Sequence, residues 1–307
     1  MANLRDTKTT QADRYWFTLR GAQQLDLAIR FEEAARALGL HLLVLKGAAI
    51  AEELYGGFAH RPMFDIDFLL VETHRFAEAA EMARGMGLVE TDASDHALAF
   101  KENASGAVIE LHISLTSCPG LFTLDPAELW MRRKLLAPSG LSRLSDEDAI
   151  LHCALHTAFQ HGFAANAYHY ADFVRAVQKW RPLEASLESR AREWGALKAL
   201  GAMAAASFRR PEEDLDPASP LAALQRHCPE PLHRWIRSEV DFPPPMGFRT
   251  LAFVRLQLTP SIRRYLLRAM LPEALPGRTF PRPRFHERLA SLVASTLRPK
   301  TPAAPLR

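Results

Sequence analysis

The sequence predicts an α/β (α+β) N-terminal domain with a small mixed sheet, followed by an all-helical C-terminal region. Up to about residue 118, short apolar runs of strand length alternate with helical stripes, and beyond that point only helical patterns follow. With 307 residues, 48% of them apolar and 24% charged, the chain can bury a sizeable core. We expect boundaries at 1–120, 121–275 and 276–307, the last segment being a basic tail rich in Pro and Arg.

The N-terminal elements follow from apolar periodicity and from residues that start and stop helices. Helices are predicted at 11–38, 47–57 and 73–87, and strands at 41–46, 63–71, 96–101 and 107–115. Paired glycines, Gly56 and Gly57, end the second helix, and Thr73 is a suitable N-cap for the third.

The second half shows helical periodicity throughout, interrupted by two Pro-rich linkers at 211–220 and 241–247. Ser145 followed by Asp148 is a capping pattern that opens this region. Helices are predicted at 146–161, 166–180, 186–208, 219–237, 247–257, 260–271 and 284–297.

Composition excludes several classes of protein. We expect no membrane insertion, because no apolar run approaches the roughly 20 residues of a spanning helix. The N-terminus lacks a signal-peptide pattern, and the three cysteines are too far apart in sequence to suggest pairs. Both observations favour a cytoplasmic protein, and the cysteine spacing gives no support to structural zinc. Residues 244–307 carry 12 Lys and Arg against two acids, which suits either a solvated arm or a phosphate-rich partner.

Two aspartates interrupt an otherwise buried strand in "RPMFDIDFLL" (61–70). Asp65 and Asp67 lie two residues apart and therefore point to the same face. Acids are costly to bury unless they are paired or bind a metal ion, so a cation should lie between them. An edge strand whose polar face meets water is the alternative.

A third acid, Glu110, lies in the later strand "AVIELHISL" and shares a face with His112. If the two acid-bearing strands are neighbours, three carboxylates converge. Hard divalent ions such as Mg²⁺ prefer oxygen ligands together with substrate phosphates. A salt-bridged strand residue is the alternative for Glu110, and His112 could orient Glu110 or contact substrate.

The segment "LKGAAI" could hold phosphates, because a strand end and Gly47 lead into a helix N-terminus. Lys46 adds a compact positive charge, and Arg61 adds a fork that suits bidentate contacts. The alternative for Lys46 is a lysine on the surface. The alternative for Arg61 is a structural ion pair with one of the aspartates.

Taken together, "VLKGAAIAEELYGGFAHRPMFDIDFLLV" and "VIELHISL" resemble the DNA polymerase beta-like nucleotidyltransferase superfamily. Within it, they are most similar to the bacterial nucleotidyltransferase family proteins, which carry Lys-Gly, Arg-x-x-x-Asp-x-Asp and an acid before Leu-His. The usual Gly-Gly or Gly-Ser motif is replaced here by Lys46-Gly47-Ala48. The resemblance makes 1–120 the catalytic domain and 121–275 a helical domain.

The resemblance implies a magnesium-dependent (or Mn²⁺-dependent) transfer of NMP from an NTP, ATP among them, with release of pyrophosphate. Asp65 and Asp67 would bind the metal, and Glu110 would bind metal or deprotonate the acceptor hydroxyl. Gly47 would belong to the triphosphate loop. Phosphate contacts of Lys46 and Arg61 are our inference from their charge.

Two other functions stay open at this level. The missing loop serine would suit a non-catalytic nucleotide-binding or scaffold protein of a biosynthetic cluster. The basic tail would suit an enzyme that acts on RNA, for example on a tRNA end. The sequence does not identify the acceptor, which could be a small molecule, a peptide or RNA. His152 and His156 are expected to be core residues that contact Asp172, with a metal-dependent phosphohydrolase as the minor alternative.

Overall fold

The computed structural model describes residues 11–57, 60–209, 220–239, 242–243 and 247–270. The basic tail at 276–307 and the helix expected at 284–297 lie outside these residues. Within the described residues, no helix combines the length and apolar character needed to cross a membrane.

Seven strands and twelve α-helices make up the described part of the chain. The strands are β1 (Leu42–Val44), β2 (Ile66–Leu70), β3 (Val89–Ala93), β4 (Ala97–Lys101), β5 (Val108–His112), β6 (Lys134–Leu135) and β7 (Ser142–Arg143). The first six helices are α1 (Gln11–Ala37), α2 (Lys46–Tyr55), α3 (Phe76–Gly85), α4 (Pro126–Met131), α5 (Asp146–Leu155) and α6 (Ala167–Trp180). The others are α7 (Glu184–Trp194), α8 (Leu197–Ser207), α9 (Pro220–Leu224), α10 (Glu230–Ser238), α11 (Phe248–Leu258) and α12 (Ile262–Met270).

The strands form one mixed sheet in the order β3-β4-β5-β2-β1-β7-β6. β2 pairs in parallel with β5 and antiparallel with β1, while β1 and β7 are parallel. The predicted fold class, a mixed sheet followed by a helical region, is confirmed.

The two faces of the sheet belong to different cores. Ile66, Phe68 and Leu70 point to the core that α1 and α3 cover, whereas Leu69 points to the core built by the helical region. Alternation therefore places Asp67 on the helical side. Asp67 is the register partner of Glu110 across the parallel pair β2–β5, so the two acid-bearing strands are neighbours, as expected.

Several elements differ from the sequence prediction. β3 was not predicted, and neither were β6 and β7, which extend the sheet into the half expected to be all-helical. The helix expected at 186–208 is divided because Gly195 adopts a left-handed conformation (φ 72°) and ends α7. The helix expected at 219–237 is divided by a 3₁₀ turn before Pro229, which has no N–H to continue a helix.

An ion pair and hydrogen bonds near its C-terminal end fix the position of α2. The guanidinium of Arg143 (β7) donates to both carboxylate oxygens of Glu53 at 2.7–3.0 Å, and Trp180 Nε1 donates to Glu53 at 2.9 Å. Two residues later along α2, Tyr55 donates to Asp172 Oδ1 at 2.6 Å. α2 is therefore held in place from both the sheet and α6.

A second tie joins the segment before β2 to the helical region. Arg61 donates to both oxygens of Asp172 (Nε–Oδ1 2.9 Å, Nη2–Oδ2 2.7 Å), and the two side chains are only 10% and 5% exposed. The Arg61 guanidinium also lies 4.9 Å from the centre of the Tyr168 ring. Bidentate geometry and burial make this the strongest link between β2 and α6 in the described chain.

Removing one partner of this pair should destabilise the protein strongly. We expect Arg61→Ala to lower the free energy of unfolding by about 3–5 kcal/mol, because Asp172 is left buried and charged. Arg61→Lys should recover only part of the loss, since an ammonium cannot make the bidentate contact. Urea unfolding followed by circular dichroism measures both.

Arg234→Ala is the matched control, because its pair with Glu230 is 77% and 71% exposed and should contribute less than about 1 kcal/mol. An Arg61→Ala protein as stable as Arg234→Ala would contradict the assignment.

Candidate active site

Asp67 and Glu110 lie side by side on the sheet face covered by the helical region. His112, two residues after Glu110 on β5, bridges them: its Nε2 lies 2.9 Å from Asp67 Oδ1 and 3.1 Å from Glu110 Oε2. Asp67 is almost fully buried (side chain 6% exposed), whereas Glu110 is 29% exposed. Strand alternation predicts His112 on this face, and its contact with Glu110 corresponds to the first of its two expected roles.

The imidazole of His112 acts as a donor to both acids. Its Nδ1 has no hydrogen-bond partner among the described residues. We therefore place a ring proton on Nε2, from which it can donate to Asp67 and Glu110. Burial lowers the pKa of His112, but its hydrogen bonds to Asp67 and Glu110 outweigh burial and raise the pKa above its ordinary value. His112 therefore stabilises the charged form of Asp67.

Lys46 supplies the positive charge that the buried acids require. Its Nζ donates to Asp67 Oδ1 at 2.8 Å, and its side chain is 17% exposed. Burial lowers the pKa of Lys46, but the charges of Asp67 and Glu110 more than compensate, so that the pKa is raised and the ammonium stays charged.

The backbone of Lys46 is strained. Its φ is 49°, a left-handed conformation that is uncommon for residues other than glycine. Such conformations cost of order 1–3 kcal/mol and persist where the surrounding structure enforces them. Here the ion pair with Asp67 and the anchored helix α2 hold the residue at the end of β1.

Asp65 lies directly before β2, at the rim of the same group of acids, and it reaches solvent. Desolvation of its carboxylate by the surrounding protein, together with the charge of Asp67, raises the pKa of Asp65 to about 6. By contrast, burial would raise the pKa of Asp67, but Lys46 and His112 hold it well below its ordinary value. The two aspartates, although only two residues apart, thus have very different proton affinities.

Gly47 allows a close approach of the chain before β2. A Cβ at this position would lie 3.0 Å from Met63 Sδ and 3.5 Å from Arg61 Cζ, so a larger residue would require the Met63 side chain to move. No side chain caps the first turn of α2, whose described residues there also lack acids. The amides of this turn are therefore available to an anion.

The structure overturns one alternative, the pairing of Arg61 with an aspartate of the acidic strand, and one expected contact of His152 and His156. Arg61 does not pair with Asp65 or Asp67, because its guanidinium is held by Asp172. For the same reason the expected contact of His152 and His156 with Asp172 is wrong: Arg61 and Tyr55 occupy that carboxylate. The pairing of Arg61 with Asp172 has no signal in the sequence, because the two residues are 111 positions apart. A phosphate contact of Arg61 stays a prediction.

Asp67, Glu110 and His112 could together hold a metal ion, since one ligand atom from each lies within 4.8 Å of the others. Asp67 and Glu110 supply carboxylate oxygens, the ligands that Mg²⁺ prefers, and Asp65 at the rim is not one of the three grouped ligands. The Lys46 ammonium already lies against Asp67, so a cation is accommodated at this point of the structure. The donor set therefore fits a hard divalent ion.

Residues 8–208, more than half of the chain, match the family model described as "Uncharacterised nucleotidyltransferase". The chain therefore belongs to this family, and it is an enzyme of the nucleotidyltransferase type. No curated protein sequence matches it.

Three solved structures are similar over about half of the chain. The crystal structure of ANT(2'')-Ia in complex with adenylyl-2''-tobramycin has a TM-score of 0.40 at 16% identity and covers 55% of this chain and 98% of its own. The solution structure of ANT(2'')-Ia has a TM-score of 0.41 at 18% identity, with 56% and 95% covered. An antigenic nucleotidyltransferase-like protein from Paracoccidioides brasiliensis has a TM-score of 0.37 at 16% identity, with 52% and 77% covered. These similarities are too distant to indicate a substrate.

The raised pKa of Asp65 predicts a pH-dependent effect of neutralising it. In the folded protein the pKa is about 6 rather than 3.8, so ionisation of Asp65 costs stability as the pH rises through this window. We expect Asp65→Asn to be more stable than the wild type above pH 6, by no more than about 1 kcal/mol because the carboxylate reaches water. The difference should vanish near pH 4.

Thermal unfolding of both proteins from pH 4 to pH 8 measures this. The exposed Asp92→Asn in β3 is the control, and its difference from the wild type should not change across that range. A stability gain in Asp65→Asn that is the same at pH 4 and pH 8 would show that the carboxylate charge is not its origin.

Proposed function

We propose that this protein transfers a nucleoside monophosphate from an NTP to an acceptor in a magnesium-dependent reaction. The observation that carries the proposal is the register of β2 and β5, which places Asp67 beside Glu110, with Asp65 at the rim. Family membership supports nucleotidyl transfer in general, and the donor set supports the metal.

In this proposal Asp65, Asp67 and Glu110 would hold Mg²⁺. A bound Mg²⁺ would neutralise charge on the triphosphate and lower the pKa of the acceptor oxygen. Glu110 is the best-placed proton acceptor for the incoming hydroxyl, because it is the more exposed acid of the adjacent pair. His112 would keep that carboxylate oriented through its Nε2–H.

The triphosphate would bind at the start of α2. Gly47 leaves room for a close approach, and the uncapped amides of the first turn are donors for phosphate oxygens. Lys46 would move from Asp67 to the phosphates when a cation neutralises Asp67. Its charge is thus used twice, first to balance the acids in the free protein and then to bind the nucleotide.

We propose that Arg61 supports the structure of the nucleotide site. Its fork is committed to Asp172 and to the backbone oxygen of Pro62, and it lies against Gly47. It would therefore support the loop that contacts phosphate without itself making the main contact.

Replacing either acid of the adjacent pair should remove the metal-dependent response. In the wild type, Mg²⁺ with an NTP should raise the melting temperature, because ligands that bind only the folded state stabilise it. We expect this increase to disappear in Asp67→Asn and Glu110→Gln, and Asp92→Asn should retain it. Differential scanning fluorimetry with and without Mg²⁺ measures the shift.

Pyrophosphate release with a panel of hydroxyl, amine and phosphate acceptors then separates an enzyme from a binding protein. Release that depends on Asp67 and Glu110 supports the transfer reaction. Metal-dependent NTP binding without release from any acceptor would favour the scaffold function instead.

Lys46→Met tests whether the lysine holds the place of a cation. Without divalent ions, the variant should be about 3–5 kcal/mol less stable, because Asp67 stays buried and charged but loses its ion pair with Lys46. Mg²⁺ should therefore stabilise Lys46→Met more than it stabilises the wild type in the absence of nucleotide. NTP affinity measured by calorimetry should fall by about 10- to 150-fold, the range expected for one charge-assisted contact.

If Mg²⁺ affected Lys46→Met and the wild type equally, the lysine and the metal would not share Asp67. Lys101→Met is the matched control, because Lys101 is exposed on β4 away from the acids.

A further inference from the structure

A second group of possible metal ligands lies in the helical region and consists of His156, His161 and His169. One ligand nitrogen from each lies within 4.8 Å of the others. His156 is 6% exposed, and the other two side chains are partly buried. None of the three takes part in the proposed transfer reaction.

A local change of helix type brings the first two histidines together. α5 continues into a π-helix at His156–Gln160, and the amide of His161 donates to the carbonyl of His156 at 3.2 Å. In a regular α-helix of about 3.6 residues per turn, residues five apart would point about 140° away from each other. The wider π turn places His156 and His161 on one side, and such turns occur frequently at functional sites.

The distance between these two side chains fits a shared metal ion. His156 Nε2 and His161 Nε2 are 3.3 Å apart. Two nitrogens bound at about 2.0–2.1 Å to a tetrahedral Zn²⁺ lie about 3.3–3.4 Å apart. An N–H donor usually lies closer to its acceptor, at about 2.9–3.0 Å, so a direct hydrogen bond between the rings would be a long one.

The third histidine comes from the first turn of α6. Its Nδ1 lies 2.8 Å from the side-chain oxygen of Asn166, the residue before that helix. With Nδ1–H donating to Asn166, Nε2 carries the lone pair that a metal requires. A hydrogen bond of this kind, from the far ring nitrogen to an oxygen, is the usual support of a histidine that binds a metal.

We propose that His156, His161 and His169 form a zinc site with an open fourth position. Three imidazoles suit Zn²⁺ and other transition metals, whereas Mg²⁺ prefers oxygen ligands. Three protein ligands and an open position are typical of zinc sites that bind water or substrate. Asn166 is the supporting residue.

This site was not anticipated from the sequence. The cysteine spacing indicates no zinc site, and the histidine pair singled out in the sequence, His152 and His156, is four residues apart. The ring of His152 lies 6.0 Å from that of His156, and His152 is not among the three grouped ligands. The relevant spacing is five, which would place the two side chains on different sides of a regular α-helix. The site is also independent of the proposed transfer reaction, because it uses no residue of the acidic group.

The test uses full-length, untagged protein that is stripped with a chelator and then dialysed against Zn²⁺. We expect one Zn²⁺ per chain by elemental analysis, and a tetrahedral Co²⁺ absorption spectrum when Co²⁺ replaces Zn²⁺. His161→Gln and His169→Gln should each lower Zn²⁺ affinity by at least about 100-fold, and Asn166→Ala by about 10- to 100-fold. His74→Gln, an exposed histidine outside the group, should bind like the wild type.

Circular dichroism and the melting temperature of the stripped proteins establish that the variants fold. Glu110→Gln separates the two sites, since it should keep Zn²⁺ and lose the Mg²⁺ response. Less than one Zn²⁺ per wild-type chain would overturn the proposal, and so would a folded His161→Gln or His169→Gln protein that keeps wild-type affinity.

Discussion

The arrangement of this site depends on keeping one carboxylate, Asp67, charged inside a sheet. A buried acid is tolerated only when it is paired and hydrogen-bonded, and Asp67 has both Lys46 and His112 within 3 Å. Reaching Asp67 from the end of β1 requires Lys46 to adopt a left-handed backbone. That strain is sustained because α2 is fixed by Arg143 through Glu53 and by Asp172 through Tyr55. The contacts of Glu53 and Tyr55 at the other end of α2 therefore help to hold Lys46 beside Asp67.

The helical region contributes more than a cover for the sheet. α6 carries Asp172, which holds the segment before β2, and its first turn carries His169, which adjoins the π-helix. The same helix therefore connects the acidic group with the histidine group. The two groups differ in chemistry, mainly carboxylates in one and imidazoles in the other, so the two sites as proposed would take a hard and a softer cation, respectively.

Local patterns predicted most of the N-terminal fold and the position of the acids. The alternation around Asp67 and Glu110 predicted both the strands and the face, and adjacency of the two strands was the condition for the carboxylates to converge. What the sequence could not show depends on distant partners. The pairing of Arg61 with Asp172 spans 111 residues. The short strands β6 and β7 carry too few residues for a periodic signal, and the π-helix changes the spacing of His156 and His161 without any local breaker.

The strand that bears Asp67 is the fourth of seven in the sheet, with three strands on either side. Its five residues are all buried, and its backbone pairs with β1 and β5 along both edges. Amides in such a position exchange with solvent through global unfolding, whereas edge strands such as β3 and β6 can open locally. The acids therefore keep their spacing through partial opening of the sheet margins. We therefore expect the site to be lost on heating only when the whole sheet melts cooperatively.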